Sequence, residues 1–220
     1  MEKLKFFFQN PVSFLITKIL RFIPFFSFLF ETYKYQSRFT FWFWFSQRLL
    51  NKGGNKSVYW PVEPTSMVLS PENILVGVDT CPGLMKGCYI QGSGGIEIGD
   101  YTQIGPNVVI VSSNHDIYDS RKSIKKKVVI GNYCWLGAGS KIMPGVTLGD
   151  FTIVGAGAVV TKSFQDGYCI LGGVPAKIIK KIDPEKCLKY ELEPRYHGYL
   201  SQNQFNAFKK KWSERFAEYK

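Results

Sequence analysis

The chain is poor in the side chains that most often perform chemistry. It has two histidines in 220 residues, His115 and His197. Its five cysteines, Cys81, Cys88, Cys134, Cys169 and Cys187, are odd in number and include no CxxC pair. That pattern suggests neither a disulfide framework nor a zinc site, so no metal cofactor is expected and a reducing cytoplasm is. Acidic residues are scarce too, 17 against 28 Lys and Arg, for a formal net charge of +11. Such a surplus draws a protein toward something anionic, whether a phosphate-bearing ligand, a membrane surface or nucleic acid. No nucleic-acid motif accompanies it, and the runs Lys125 to Lys127 and Lys209 to Lys211 read as solvated faces.

A long uninterrupted apolar run is also missing. The N-terminal stretch PVSFLITKILRFIPFFSFLF comes nearest, but Lys18, Arg21 and Pro24 break it. A spanning helix needs roughly 20 mainly apolar residues, and charges near its centre are expensive. No small-residue cleavage site follows to mark a signal peptide. The segment is therefore expected to be neither secreted nor spanning. Residues 1–60 instead read as an aromatic, basic and partly helical unit.

What the chain does have is a period of six. Ile98, Ile104 and Ile110 are six apart, and the period returns with Ile130, Leu136, Ile142, Leu148, Val154 and Val160. Gly, Asn and Asp recur just behind these positions. A helix has no use for that spacing, whereas short strands joined by tight turns do. The expected fold is mainly β: a solenoid in which three hexapeptides make one triangular coil and the leading aliphatic residue fills the interior. The residue four after the lead is often small, as at Thr102, Cys134, Ser140, Thr152 and Ala158, and is expected to point inward where the prism narrows.

The period breaks once. Ile110 to Ile130 is a step of 20, not a multiple of six, so about 14 residues must leave the wall as a loop. That loop holds SSNHDIYDSRKSIKKK and with it His115. A loop projected from a rigid scaffold is where function is commonly carried. Upstream, SPENILVGVDTCPGLMKGCYIQGSGG reads as looser first coils, and WPVEPTSMV as an extended lead-in. The expected division is 1–60, then a solenoid over 61–182 with a protruding loop at 113–128. A C-terminal helical tail over 183–220 opens at Asp183-Pro184 and carries Phe205, Phe208, Trp212 and Phe216 on one helix face.

The segments CYIQG, IGDYTQIGPNV, SSNHD, IGNYCWLGAGSKIMPGVTLGD, IVGAGAVVTKSF and GGVPAKIIKKI closely resemble the hexapeptide-repeat acyltransferases of the xenobiotic, galactoside and maltose acetyltransferase type. The resemblance covers roughly residues 61 to 182. It implies a left-handed β-helix, against the right-handed preference of about 98% for parallel crossovers. It further implies a homotrimer with active sites between subunits and acetyl-CoA as the acyl donor.

Under that resemblance each residue acquires a role consistent with its chemistry. His115 is the expected general base, since an imidazole of pKa about 6.5 accepts a proton at neutral pH. Asn114 is expected to hydrogen-bond substrate or position the loop, and Asp116 to orient the ring or brace the turn. Gln91 is placed to reach the acceptor from the previous coil. The resemblance puts Ala138 and Ala156 beside the pantetheine arm, with Thr161, Lys162, Lys177 and Lys180 near the nucleotide end. Many relatives have arginine in that last segment; lysine keeps the charge but loses the two-pronged fork. Trp135 is implied as a wall of the active site, touching donor and acceptor. Cys134 is weighed as a nucleophile but occupies a small inward slot, so direct transfer in a ternary complex is expected.

Other functions on this scaffold remain open at this stage. Carbonic anhydrases of the same solenoid need three histidines on zinc, and the repeat region has one. A serine or other small-molecule acetyltransferase and a non-catalytic scaffold are the alternatives. The expected acceptor is a sugar hydroxyl of a surface polysaccharide or glycan precursor. The expected location is cytoplasmic, with residues 1–60 in peripheral contact with the inner face of the membrane.

Overall fold

The computed structural model of the chain describes residues 19–20, 22–23, 26–32, 35 and 40–217. Most of residues 1–39 lie outside this set, and so does most of what the sequence leads one to expect there. Among the described residues no helix is long and apolar enough to cross a membrane.

The centre of the molecule is a three-faced prism of short parallel strands. One face stacks Met67–Leu69, Tyr89–Gln91, Val109–Val111, Lys141–Ile142 and Val159–Val160. The second stacks Ile74–Val76, Ile96–Ile98, Val128–Ile130 and Thr147–Leu148, and the third Gln103–Ile104, Trp135–Leu136, Thr152–Val154 and Cys169–Gly172. The period-six aliphatics form the interior columns: Ile98 pairs with Ile130 and Ile130 with Leu148, while Ile110 pairs with Ile142 and Ile142 with Val160. All of these are essentially inaccessible to solvent. Burying each side chain contributes about 1.5–3 kcal/mol relative to exposure, and the columns add such terms coil after coil. Ile104 alone among the leads is half-exposed, because its strand is the edge of its sheet.

The turns explain the Gly-Asp and Gly-Asn pairs behind the leads. Asp100 Oδ1 accepts from Val78 N at 2.7 Å, Asn132 Oδ1 from Asp100 N at 2.8 Å and Asp150 Oδ1 from Asn132 N at 2.7 Å. Each short polar side chain thus bonds the backbone of the neighbouring coil. The next residue in each turn is left-handed yet aromatic: Tyr101, Tyr133 and Phe151 have φ of 59°, 54° and 54°, and Tyr168 joins them at 44°. That conformation costs a non-glycine residue about 1–2 kcal/mol. The four rings stack in one ladder with centroids 5.1, 4.8 and 5.2 Å apart. Each such pair returns about 0.5–1.5 kcal/mol beyond area burial, which offsets part of the backbone term.

The steps between coils measure the loop. Along the first face Val68 pairs with Ile90, Ile90 with Ile110, Ile110 with Ile142 and Ile142 with Val160, steps of 22, 20, 32 and 18. The first coils are indeed looser than the regular 18, and the 32-residue step exceeds 18 by 14. The excess is an antiparallel hairpin, Ser113–His115 against Ser123–Lys125, rather than an irregular loop.

The C-terminal tail departs from the helix expected at Asp183-Pro184. Only Pro184–Lys186 turns there; the chain then runs extended, makes a short hairpin of Tyr196–His197 with Leu200–Ser201, and becomes helical over Gln202–Arg215. The reason is the aromatic ladder. Leu192 N donates to Tyr101 Oη and Tyr133 Oη to the Tyr190 carbonyl, both at 2.7 Å, and Tyr190 packs on Tyr101 at 4.6 Å. A strap reaching along successive coils must be extended. On the terminal helix, Phe205 and Trp212 are buried, with Phe216 buried at its end and Phe208 half-buried, and Trp212 Nε1 donates to the Asn73 carbonyl at 2.9 Å.

The described part of the N-terminal segment packs on this tail and on the first coils. Phe28 is buried against Tyr196 and Tyr199. Gln47, also buried, donates through Nε2 to the carbonyls of Asn55 and Trp60, while its Oε1 accepts from Val62 N and Tyr199 Oη. A solenoid exposes apolar surface at its open end unless something covers it; here Val58, Tyr59, Trp60 and Val62 join the continuous core.

Candidate active site

The hairpin leaves the prism through a polar clasp. Gln91 Nε2 donates to Ser113 Oγ at 2.6 Å and to Ser93 Oγ at 2.8 Å, and Ser112 Oγ donates to the Gln91 carbonyl at 2.8 Å. Lys126 N closes the base on the Ser112 carbonyl at 2.8 Å. Gln91, expected to reach toward an acceptor, thus has both amide hydrogens engaged in holding the root of the hairpin.

Two residues beyond the clasp stands His115, exposed to solvent. Its Nδ1 lies 2.6 Å from the Ser120 carbonyl oxygen. Asp116 does not meet the ring: its Oδ1 accepts from Tyr118 N at 2.8 Å and Asp119 N at 3.0 Å, bracing the hairpin turn. Asp119 in turn bonds Arg121, whose guanidinium holds the carboxyl below its ordinary range. Asn114 is exposed beside His115, with its backbone in the hairpin ladder opposite Ile124.

Trp135 projects from the third face between two inward neighbours, Cys134 and Leu136, and is 53% exposed. It forms an open groove of about 450 Å³ with Gln103, Tyr101, Tyr133, Leu188 and Tyr190. Gln103 Nε2 is buried there without a hydrogen-bond partner among the described residues. Nothing in the period pointed to Gln103. The ladder tyrosines were visible as GDY and GNY, three residues after their leads.

Cys134 is a core thiol. Its Sγ lies 3.3 Å from the Gly149 carbonyl, and burial pushes its pKa up to about 12, with the Asp150 charge acting in the same direction. The thiol therefore stays protonated at neutral pH, the opposite of what a nucleophilic cysteine requires.

Ala138 and Ala156 stack at one corner of the prism, both exposed, with Gly157 N donating to the Ala138 carbonyl at 2.9 Å. A side chain at Gly137 would lie 2.7 Å from Ala156 N, so the corner keeps its backbone bare only with glycine there. Thr161 and Lys162 follow the last strand of the first face and are exposed. Lys177 and Lys180 lie on Lys177–Lys181, an antiparallel strand that extends the third face. Within one chain and among the described residues, no hydrogen bond or ion pair joins the His115 hairpin to Trp135, to the alanine corner or to these lysines.

The family model described as bacterial transferase hexapeptide (six repeats) matches residues 127–162. A Dictyostelium discoideum protein named as an acetyltransferase is 37% identical over an alignment 152 residues long that covers 62% of this chain and 71% of that protein. The chain belongs to the hexapeptide-repeat acetyltransferases. Its prism is accordingly a left-handed parallel β-helix, and the protein is an acyltransferase. Among solved structures, a maltose O-acetyltransferase from Clostridium difficile 630 is 33% identical with a TM-score of 0.48, covering 56% of this chain and 66% of that one. A galactoside acetyltransferase solved in complex with coenzyme A is 27% identical with the same TM-score, covering 59% and 70%. This hexapeptide-repeat acetyltransferase thus spans about two thirds of the maltose relative's length.

Proposed function

We propose that the protein moves an acetyl group from acetyl-CoA to a sugar hydroxyl of a surface polysaccharide or glycan precursor, with His115 as general base in a ternary complex. The observation that carries this reading is the 2.6 Å approach of His115 Nδ1 to the Ser120 carbonyl. A carbonyl only accepts, so Nδ1 carries the proton and Nε2 presents its lone pair to solvent. The site also suits a donor with a long polar arm and phosphates: a bare-backbone corner at Ala138 and Ala156, then exposed Lys162, Lys177 and Lys180.

Acetyl-CoA supplies the acetyl group activated as a thioester. His115 Nε2 takes the proton from the acceptor hydroxyl as that oxygen attacks, and later returns it to the departing sulfur. Asn114 donates toward the substrate, and Asp116 keeps the turn closed so that the Ser120 carbonyl stays on Nδ1. Trp135 walls the groove between donor and acceptor. The three-part division at about 60 and 182 follows these roles: membrane-facing segment, catalytic solenoid and packing tail.

A homotrimer completes the site. Support comes from the separation within one chain of the hairpin from the donor corner, and from the exposure of Ile117 and Tyr118 at the hairpin tip, apolar side chains suited to a neighbouring subunit. Residues 1–60 hold the trimer in peripheral contact with the cytoplasmic face of the membrane, near a lipid-linked acceptor.

Incubation of the purified protein with acetyl-CoA and a panel of sugar, oligosaccharide, serine and amine acceptors tests this, with mass spectrometry of each acceptor. An acetyl ester on a sugar is expected. Acetylation of serine or an amine alone overturns the acceptor class, and coenzyme A binding without turnover on any sugar overturns the proposal.

A further inference from the structure

The N-terminal cap is fixed to the rest of the molecule through Phe28, Gln47 and Tyr35, whose hydroxyl donates to the Tyr196 carbonyl at 3.0 Å. It also holds a cluster of rings, of which Phe26, Phe41 and Trp44 pack against the core. Phe26 meets Phe41 and Trp44, Phe41 meets Trp42 and Phe45, and Trp42 meets Phe45, with centroids 5.1 to 5.9 Å apart.

In the same segment the chain leaves large apolar side chains in water. Ile19, Phe22, Ile23, Trp42, Leu49 and Leu50 are all exposed, Phe22 at 86% and Leu49 at 61%. Single exposed apolar residues are ordinary, but a concentration of them in one short segment marks an interaction surface. The buried Leu20, Phe28, Leu29 and Tyr35 already join the segment to the core, so a need for core residues does not account for these six.

The charge of the same segment bears on what these side chains meet. In sequence, residues 1–60 carry nine basic residues against two acidic ones, Glu2 and Glu31; Arg48, Lys52 and Lys56 are the basic ones among the described residues. Glu31 is neutralised by Arg195 at 3.2 Å. Lys52 and Lys56 are exposed beside Leu49 and Leu50 in sequence. Two such basic segments would repel one another, which disfavours a second copy as occupant. Unpaired bases stack on aromatic rings but offer nothing to the aliphatic Ile19, Ile23, Leu49 and Leu50. An anionic bilayer meets both demands at once: its headgroup region accommodates aromatic rings, its acyl boundary takes aliphatic side chains, and its surface potential attracts lysine and arginine.

We propose that the exposed apolar side chains of the cap, Phe22, Trp42, Leu49 and Leu50 foremost, dock on anionic phospholipid bilayers. The inference deepens the membrane contact proposed above by assigning it to named residues, and it is tested without reference to acetyl transfer.

The full-length protein is mixed with vesicles of phosphatidylglycerol and phosphatidylcholine, or of phosphatidylcholine alone, and floated through a density gradient. Flotation with the anionic vesicles is expected, weakened by phosphatidylcholine alone and by salt at about 0.5 M, where charges are screened over a few ångströms. Trp42→Glu and Leu49→Glu should each lower the bound-to-free ratio about tenfold, since an apolar contact becomes a repelled charge. Both should melt like the wild type. Full-length protein that stays at the bottom with anionic vesicles at low salt overturns the proposal. So does undiminished flotation of the two folded variants. If Leu49→Glu instead abolishes a concentration-dependent self-association seen without vesicles, the surface belongs to a second copy and the proposal fails. A protein that floats but acetylates no sugar leaves the docking surface standing and removes the proposed transfer to a sugar hydroxyl.

Discussion

His115 and Ser120 face each other across the hairpin, ring nitrogen to carbonyl oxygen at 2.6 Å. The pairing of Ser113–His115 with Ser123–Lys125 closes the hairpin and brings Ser120 back toward the ring. One tautomer is thereby selected before any substrate arrives, with the basic nitrogen directed away from the backbone.

His115→Ala should therefore leave folding and coenzyme A binding near wild type while lowering turnover by about two to four orders of magnitude, the usual scale for loss of a general base. Steady-state kinetics with a melting curve on the same sample checks it. Activity within about threefold of wild type would refute the assignment.

Cys134→Ala separates direct transfer from an acyl-enzyme. A thiol raised to about 12 by burial is protonated and inert, so the variant should turn over within about fivefold of wild type. It should lose about 1 kcal/mol of stability or somewhat more for the small void it leaves. Mass spectrometry that traps an acetyl group on Cys134 would reverse this reading.

Lys162→Glu and Lys180→Glu should weaken coenzyme A more than dephospho-coenzyme A. Both lysines are exposed near the C-terminal end of the prism, and charge reversal there acts mainly through phosphate attraction. Calorimetric titration of each variant with the two ligands is the measurement. Equal losses would move these lysines away from the nucleotide.

His197 predicts a pH dependence of stability that has nothing to do with catalysis. Its ring is buried and stacked on Phe205 with centroids 3.6 Å apart, and Nε2 meets Gln202 Oε1 at 3.1 Å. Burial lowers its pKa from the ordinary value, and Lys209 acts in the same direction against the Gln202 hydrogen bond and Asp100. The native state therefore holds fewer protons than the unfolded chain. Its stabilising contribution is complete above the unfolded histidine pKa of about 6.5 and is lost as pH falls from there through the depressed folded value. Urea midpoints between pH 5 and 8 should decline on the acid side, and His197→Gln should flatten that decline. An unchanged slope in the variant would mean that another group is responsible.

The interior of the prism was legible because an aliphatic residue every six positions has one physical solution. Even the size of the projection followed from the misfit of Ile110 with Ile130. The tautomer of His115 was not legible, since it depends on the Ser120 carbonyl returning across a hairpin whose strands carry no alternating pattern. The extended course of the tail before its helix was not legible for a related reason. Asp183-Pro184 is a good helix start locally, but Tyr190 and Leu192 find partners on Tyr101 and Tyr133, far away in sequence. The inward slot of Cys134 was visible from its phase, whereas the part of Gln91 in the clasp required the neighbouring coil to be seen beside it.

The hairpin is inserted where the wall can close without it. On both sides of the insertion the columns meet at matched residues, Ile98 with Ile130 and Ile110 with Ile142, as if the extra chain were not there. The stack is therefore indifferent to what stands between Ser112 and Lys126. Such a segment behaves as a cassette: its length and its reactive side chains can be rewritten by mutation without reopening the packing that supports it. A version with the hairpin replaced by a short turn should still wind into a complete prism, chemically silent and ready to host a different loop.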